Sequence, residues 1–181
     1  MNKKIFIALI VLVILVILGA IVFMKNNNEK VNVILHTNMG DINIEMFSDT
    51  PITSGNFVKL ADSGFYNEII FHRVIGGFMI QSGDPQGTGY GGPGYEIKDE
   101  FRTGNRNDRG TISMANSGPN TGGSQFFINL VDNNFLDSKH PTFGKVVSGM
   151  DVVDKIAKVE TDSSDRPLTE VKIISIEVIK R

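Results

Sequence analysis

The chain has 181 residues, 18 of them basic and 20 acidic, for a formal charge of −2, and it contains no cysteine. The missing cysteine excludes disulfides, thiolate zinc sites and thiol nucleophiles together. The slight acidity argues against nucleic acid as a partner.

Residues 5–23 read IFIALIVLVILVILGAIVF, with no charge anywhere in the run. At 1.5 Å per residue such a helix is roughly 28 Å long, close to the ~30 Å of a bilayer core. A secretory h-region is shorter, about 7–15 apolar residues, and Leu18-Gly19-Ala20 matches an A-x-A cleavage site poorly. The expectation is an uncleaved signal anchor, a transmembrane helix, over residues 1–24, with a cleaved signal peptide as the alternative. Lys3 and Lys4 before the span and Lys25, Glu29 and Lys30 after it give a small positive-inside bias. Either reading exports the rest of the chain, membrane-anchored and facing an extracytoplasmic space such as the cell surface. Residues 25–30 form a short polar tether, and residues 31–181 have the size of one domain. Without Lys3 and Lys4 the basic count falls to 16 against 20 acidic residues, so the exported part carries −4.

Val31, Val33 and Leu35 alternate with Asn32, Ile34 and His36, and Ile42, Ile44 and Met46 alternate with Asn43 and Glu45 across the turn Asn38-Met39-Gly40-Asp41. This pattern predicts a hairpin. Thr50-Pro51 predicts an N-cap and first helical residue, with Phe57, Leu60 and Ala61 on one face and Gly64 as the stop. Strands are predicted over 69–75 and 78–82, broken by Gly76-Gly77, and over 111–115, 125–131, 142–147 and 171–179. A second helix is predicted over 150–158. Eight short strands, two helices and glycine-rich turns favour a barrel or a sandwich.

Some motifs mislead. Gly87-Thr88-Gly89-Tyr90-Gly91-Gly92 matches G-x-G-x-x-G, but Pro93-Gly94 follows where a phosphate site needs a helix N-terminus. Residues 118–124 have P-loop glycine spacing with Gly123 at the lysine position. His36 sits on the polar face of its strand. His72, adjacent to Arg73, faces the other side as a packing residue. His140 lies on a loop among apolar residues. Three separated histidines without carboxylates at ligand spacing make no metal site, and Ser, His140 and Asp137 lack a nucleophile elbow.

FHRVIGGFMIQSGD places Arg73 beside apolar residues and Gln81, and SMANSGPNTGGSQFFI brings Gln125 and further aromatics. Burying a guanidinium near hydrocarbon is unfavourable unless its donors are used, so a site gripping an apolar group and an amide is expected. Phe78, Met79, Phe127, Phe135 and Leu136 read equally as ordinary core, and periodicity leaves open which face Arg73 shares with them.

Together with FLDSKHPTFGKV, these segments resemble the cyclophilin-type peptidyl-prolyl cis-trans isomerases, from about Val31 to the C-terminus. The resemblance implies a mainly all-β fold, a closed eight-stranded antiparallel β-barrel capped by two helices, with the active site on its outer face. It implies that Arg73 is the catalytic arginine and Gln81 orients it. Phe78, Met79, Phe127 and Leu136 line the proline pocket, the Asn116 backbone pairs with substrate, and Ala115, Gln125 and His140 fall on site positions. Phe135 stands where many members carry tryptophan; it keeps the apolar wall without the indole N–H, which bears on cyclosporin binding. Gly76 replaces a common proline, and the loop before Phe101 resembles the compact form of many prokaryotic members. The implied activity is rotation of X-Pro bonds in proline-containing exported polypeptides, by hydrogen bonding of Arg73 to the prolyl nitrogen. It needs no cofactor or metal and a monomeric catalytic domain. The alternative is a non-catalytic proline-segment binding module or chaperone. The N-terminal anchor lies outside the resemblance.

Overall fold

A computed structural model describes residues 30–181. The expected anchor (1–24) and nearly all of the tether (25–30) lie outside the described residues. Among the described residues, no helix is long and apolar enough to cross a membrane.

Strands β1 (Val31–Thr37) and β2 (Gly40–Met46) form the expected hairpin, with Leu35 opposite Ile42 and Val33 opposite Ile44. All four side chains are fully buried, so the alternation reports the inner face directly. Helix α1 (Pro51–Asp62) follows and turns Phe57, Leu60 and Ala61 inward. The N-cap expected of Thr50 is not made. Its hydroxyl donates back to Phe47 O, and the helix-end Thr53 N–H is taken by Glu100 Oε2 at 2.9 Å, a carboxylate 47 positions away.

The remaining elements are β3 (Arg73–Ile75), β4 (Met79–Ser82), β5 (Thr111–Met114), β6 (Phe126–Asn129), a 3₁₀ turn (Asn134–Leu136), β7 (Thr142–Ser148), helix α2 (Met150–Ile156) and β8 (Ile173–Lys180). Helix α1 packs on β8 and β7, and α2 on β2. The sheet order is β3-β4-β6-β5-β7-β2-β1-β8, antiparallel throughout. Eight antiparallel strands and two helices match the expected count.

Closure of the barrel does not. The ladder ends at β3 and at β8; residues 68–71, ahead of β3, meet residues 171–173 at the start of β8, at the single bridge Ile70–Lys172 and through bonds such as Phe71 N–H to Val171 O at 2.8 Å. The strand expected over 69–75 shrinks to three residues for the same reason. Its first half faces this seam, while Val74 N–H donates to Asp165 O at 2.8 Å in a loop.

The core lies inside the sheet. Phe57 stacks on Tyr66 at 4.8 Å between ring centres and meets Phe126 edge-on at 5.3 Å. The Tyr66 hydroxyl donates to Ser124 O, and burial pushes its phenol pKa up.

Candidate active site

Antiparallel register decides which side chains share a face. Arg73 lies opposite Gln81, Gln81 opposite Phe127, and Phe127 opposite Ser113, so one row runs across β3, β4, β6 and β5. One step along lies the row Ile75, Met79, Asn129. The intervening residues Val74, Ile80, Ile128 and Ile112 belong to the inner core, so both rows are on the outer face. At about 4.8 Å per strand, the Arg73 and Phe127 backbones are roughly 10 Å apart, within reach of a guanidinium and a ring.

Met79 and Phe127 are buried although they point outward, at 2% and 4% exposure, and neither belongs to the inner cluster. Residues 131–140 roof them. The His140 ring meets Phe127 edge-on at 5.4 Å, and Phe135, 67% exposed, stacks on Phe78 at 6.0 Å. Leu136 sits beside Phe135 in the 3₁₀ turn. The result is an apolar dish with Arg73 at one end.

A buried amide network holds the roof. Asn133 Nδ2 donates to Phe78 O and to Asn129 Oδ1, both at 2.9 Å, while Asn129 Nδ2 donates to Thr111 Oγ1 at 2.9 Å. Ser113 Oγ donates to Asn107 Oδ1 at 2.7 Å, and Asn107 N–H donates to Asp137 Oδ1 at 2.7 Å. Asn133 therefore ties Phe78, on one wall, to the segment carrying Phe135 and Leu136. Losing one partner would leave a buried polar group unpaired, at a cost of about 1–3 kcal/mol.

His140 Nδ1 lies 3.1 Å from Met114 O. A carbonyl only accepts, so Nδ1 carries the proton. Burial lowers the imidazole pKa, against the raising effect of that hydrogen bond. His72, just ahead of β3, is 7% exposed, and burial lowers its pKa in spite of Asp84.

Gln81 does not bond to Arg73. Its Nε2 donates to Gln125 Oε1 at 2.9 Å, because Gln125 is itself fixed by donating to Gly89 O at 3.0 Å and Gly91 O at 2.9 Å and so presents its oxygen. Arg73 Nε donates instead to Asp165 Oδ2 at 3.4 Å.

Asn116 commits its side chain to Lys139 O at 2.8 Å. Its main-chain N–H and C=O have no backbone partner among the described residues. Ala115, half-buried beside it, donates its N–H to Gln125 O at 3.0 Å. A groove of about 500 Å³ lies beside this face, lined by Gln81, Gly89, Tyr95, Ala115, Asn116 and Gln125 among others.

The glycine run at 87–92 holds no helix and serves a carboxylate. Asp84 accepts from Gln86 N–H at 2.7 Å, Thr88 N–H at 2.8 Å and Gly89 N–H at 2.6 Å, and a Cβ on Gly91 would overlap Asp84 Oδ1. Sequence reasoning missed Asp84, Asn129, Asn133 and Asp165. Asp84 before a glycine run and Asn129 on the Phe127 face of an apolar strand were available signals; Asp165, 92 positions from Arg73 in a polar loop, gave none.

The sequence model of the family described as cyclophilin type peptidyl-prolyl cis-trans isomerase matches residues 32–178. The chain belongs to the cyclophilin-type peptidyl-prolyl cis-trans isomerases. It is an enzyme of that class. Peptidyl-prolyl cis-trans isomerase-like 1 of Aspergillus fumigatus is 48% identical over 154 residues, covering 82% of this chain and 96% of the relative. Peptidyl-prolyl cis-trans isomerase CYP71 of Arabidopsis thaliana is 53% identical, but this chain spans only 24% of its length. A crystal structure of a cyclophilin type isomerase from Cryptosporidium parvum superposes with a TM-score of 0.80 at 39% identity, covering 83% of this chain and 98% of that one. A second structure, solved in the presence of the dipeptide Ala-Pro, gives 0.77 at 39% identity, covering 80% and 96%. These relatives are eukaryotic, in contrast to the prokaryotic likeness expected from the loop before Phe101.

Proposed function

We propose that the outer face carrying Arg73 accelerates rotation about X-Pro bonds in exported polypeptides, and that the N-terminal segment anchors this domain to a membrane. The observation that carries the first part is the shared face of Arg73, Gln81, Met79 and Phe127 under one roof. The anchor, of the kind expected of a prokaryotic member, rests on the uncharged run at 5–23 alone.

Rotation breaks no σ bond. It must overcome the resonance tying the nitrogen lone pair to the carbonyl, a barrier of about 18–20 kcal/mol. At the twisted transition state the lone pair is freed on nitrogen, and a donor placed there stabilises that state more than either planar isomer. Arg73, with its fixed fork of N–H donors, is that donor. The proline ring rests on Met79, Phe127, Phe78 and Leu136, and the Asn116 backbone pairs with the residue before proline. A hydrogen bond from a charged group contributes roughly 1.5–3 kcal/mol, whereas a 10⁴-fold gain needs about 5.4 kcal/mol. Water exclusion by the dish and clamping at Asn116 supply the difference. The adjoining groove shares Ala115, Asn116 and Gln125 with this site, so a peptide crossing the dish continues into it. No step moves a proton.

The Cryptosporidium protein solved with Ala-Pro supports the same ligand class here. Titrating the dipeptide Ala-Pro into the labelled domain should shift NMR signals of Met79, Phe127 and His140 first. Shifts confined to the glycine run at 87–92 would contradict the placement of the proline ring.

A further inference from the structure

We propose that Asp165 is a positioning residue for Arg73, holding its guanidinium by Nε so that both Nη groups remain for the substrate. The inference rests on the reading of Arg73 as the donor to the prolyl nitrogen.

Arg73 begins a three-residue strand at the open end of the sheet. An arginine there has many rotamers open to it, and a donor that swings freely is poorly placed for a twisted amide. Gln81, the neighbour in register, is occupied by Gln125. Among the described residues the guanidinium has one hydrogen-bond partner, Asp165, 3.4 Å from Nε, with side chains 44% and 42% exposed.

Asp165 is set in place by its backbone. Its φ is +64, a region that L residues enter at a cost and that aspartate tolerates better than most. Its carbonyl accepts from Val74 N–H at 2.8 Å and its N–H donates to Asp162 O at 3.1 Å. The bridge Thr161–Pro167 and the bond from Leu168 N–H to Glu160 O, 2.9 Å, close the loop, and Arg166 Nη1 ties it to Gly87 O at 2.6 Å. Val74 follows Arg73 directly. The residue that satisfies the free edge of β3 therefore also sets a carboxylate beside the arginine. As a half-exposed pair the contact contributes little to stability; its consequence is direction.

The test compares Asp165→Gly and Asp165→Asn in the full chain. Glycine takes a positive φ freely and removes only the carboxylate; asparagine tolerates the same backbone and keeps an acceptor. The readouts are kcat and KM on an Ala-Pro peptide, and the Nε–H signal of Arg73 in ¹⁵N NMR. Asp165→Gly should lower kcat about 3-fold, the scale of a half-exposed pair, with KM unchanged and faster exchange of the Arg73 Nε–H with water. Asp165→Asn should recover most of both. An unchanged kcat, a rise in KM alone, or an unmoved Nε–H signal in Asp165→Gly would overturn the positioning role. An Arg73→Ala variant that kept its kcat would instead overturn the reading of the site beneath it.

Discussion

Asp84 is 1% exposed, yet ionisation is what keeps it in place. Burial raises its pKa, but backbone N–H groups of Gln86, Gly91, Gly89 and Thr88 outweigh burial and hold the carboxyl below its ordinary range. An unfolded aspartate titrates near 3.9, and the folded value lies lower. The stability this carboxylate contributes is therefore complete above about pH 3.9 and is lost as pH falls through the folded value. Asp84→Asn turns an NH₂ group toward backbone donors and should cost about 1.5–3 kcal/mol at pH 7. Urea denaturation should show that cost at neutrality and a shallower loss of stability below pH 4 than in the unsubstituted protein. Identical acid slopes would contradict the assignment.

At the level of elements, the hairpin and α1 were legible because each has one buried face: Val33, Leu35, Ile42 and Ile44 alternate, and Phe57, Leu60 and Ala61 recur at helical spacing. Boundaries set by distant partners were not. Helix α2 stops at Ile156 rather than 158, β8 begins at Ile173 rather than 171, and Glu100 replaces Thr50 at the start of α1. Closure of the sheet failed because no local pattern reports whether two end strands meet. The face of Arg73 was open for a related reason, since Gly76-Gly77 interrupts the alternation; only the register Arg73–Gln81–Phe127 fixes it. The roof over that face was only partly legible: Asn129 on the Phe127 face of an apolar strand was a signal, but its pairing with Asn107 and Asn133 in separate loops was not.

For the whole molecule, the catalytic domain and the N-terminal segment make separate claims. Residues 5–23 are long enough and apolar enough to span a bilayer, so the full chain should stay in the membrane pellet through alkaline carbonate extraction. Release into the supernatant would contradict anchoring and leave the isomerase site untouched. An exported isomerase would serve secreted or surface proteins whose folding waits on X-Pro bonds, which otherwise turn over in tens of seconds.

The central claim is that the Arg73 guanidinium converts an apolar dish that holds proline into one that turns it. NMR exchange spectroscopy on an Ala-Pro peptide, with substoichiometric protein, measures cis-trans interconversion directly. The unsubstituted protein should give strong exchange cross-peaks; Arg73→Ala should bind the peptide and keep its far-UV dichroism while losing most of that exchange. Exchange as fast in Arg73→Ala as in the unsubstituted protein would contradict the account.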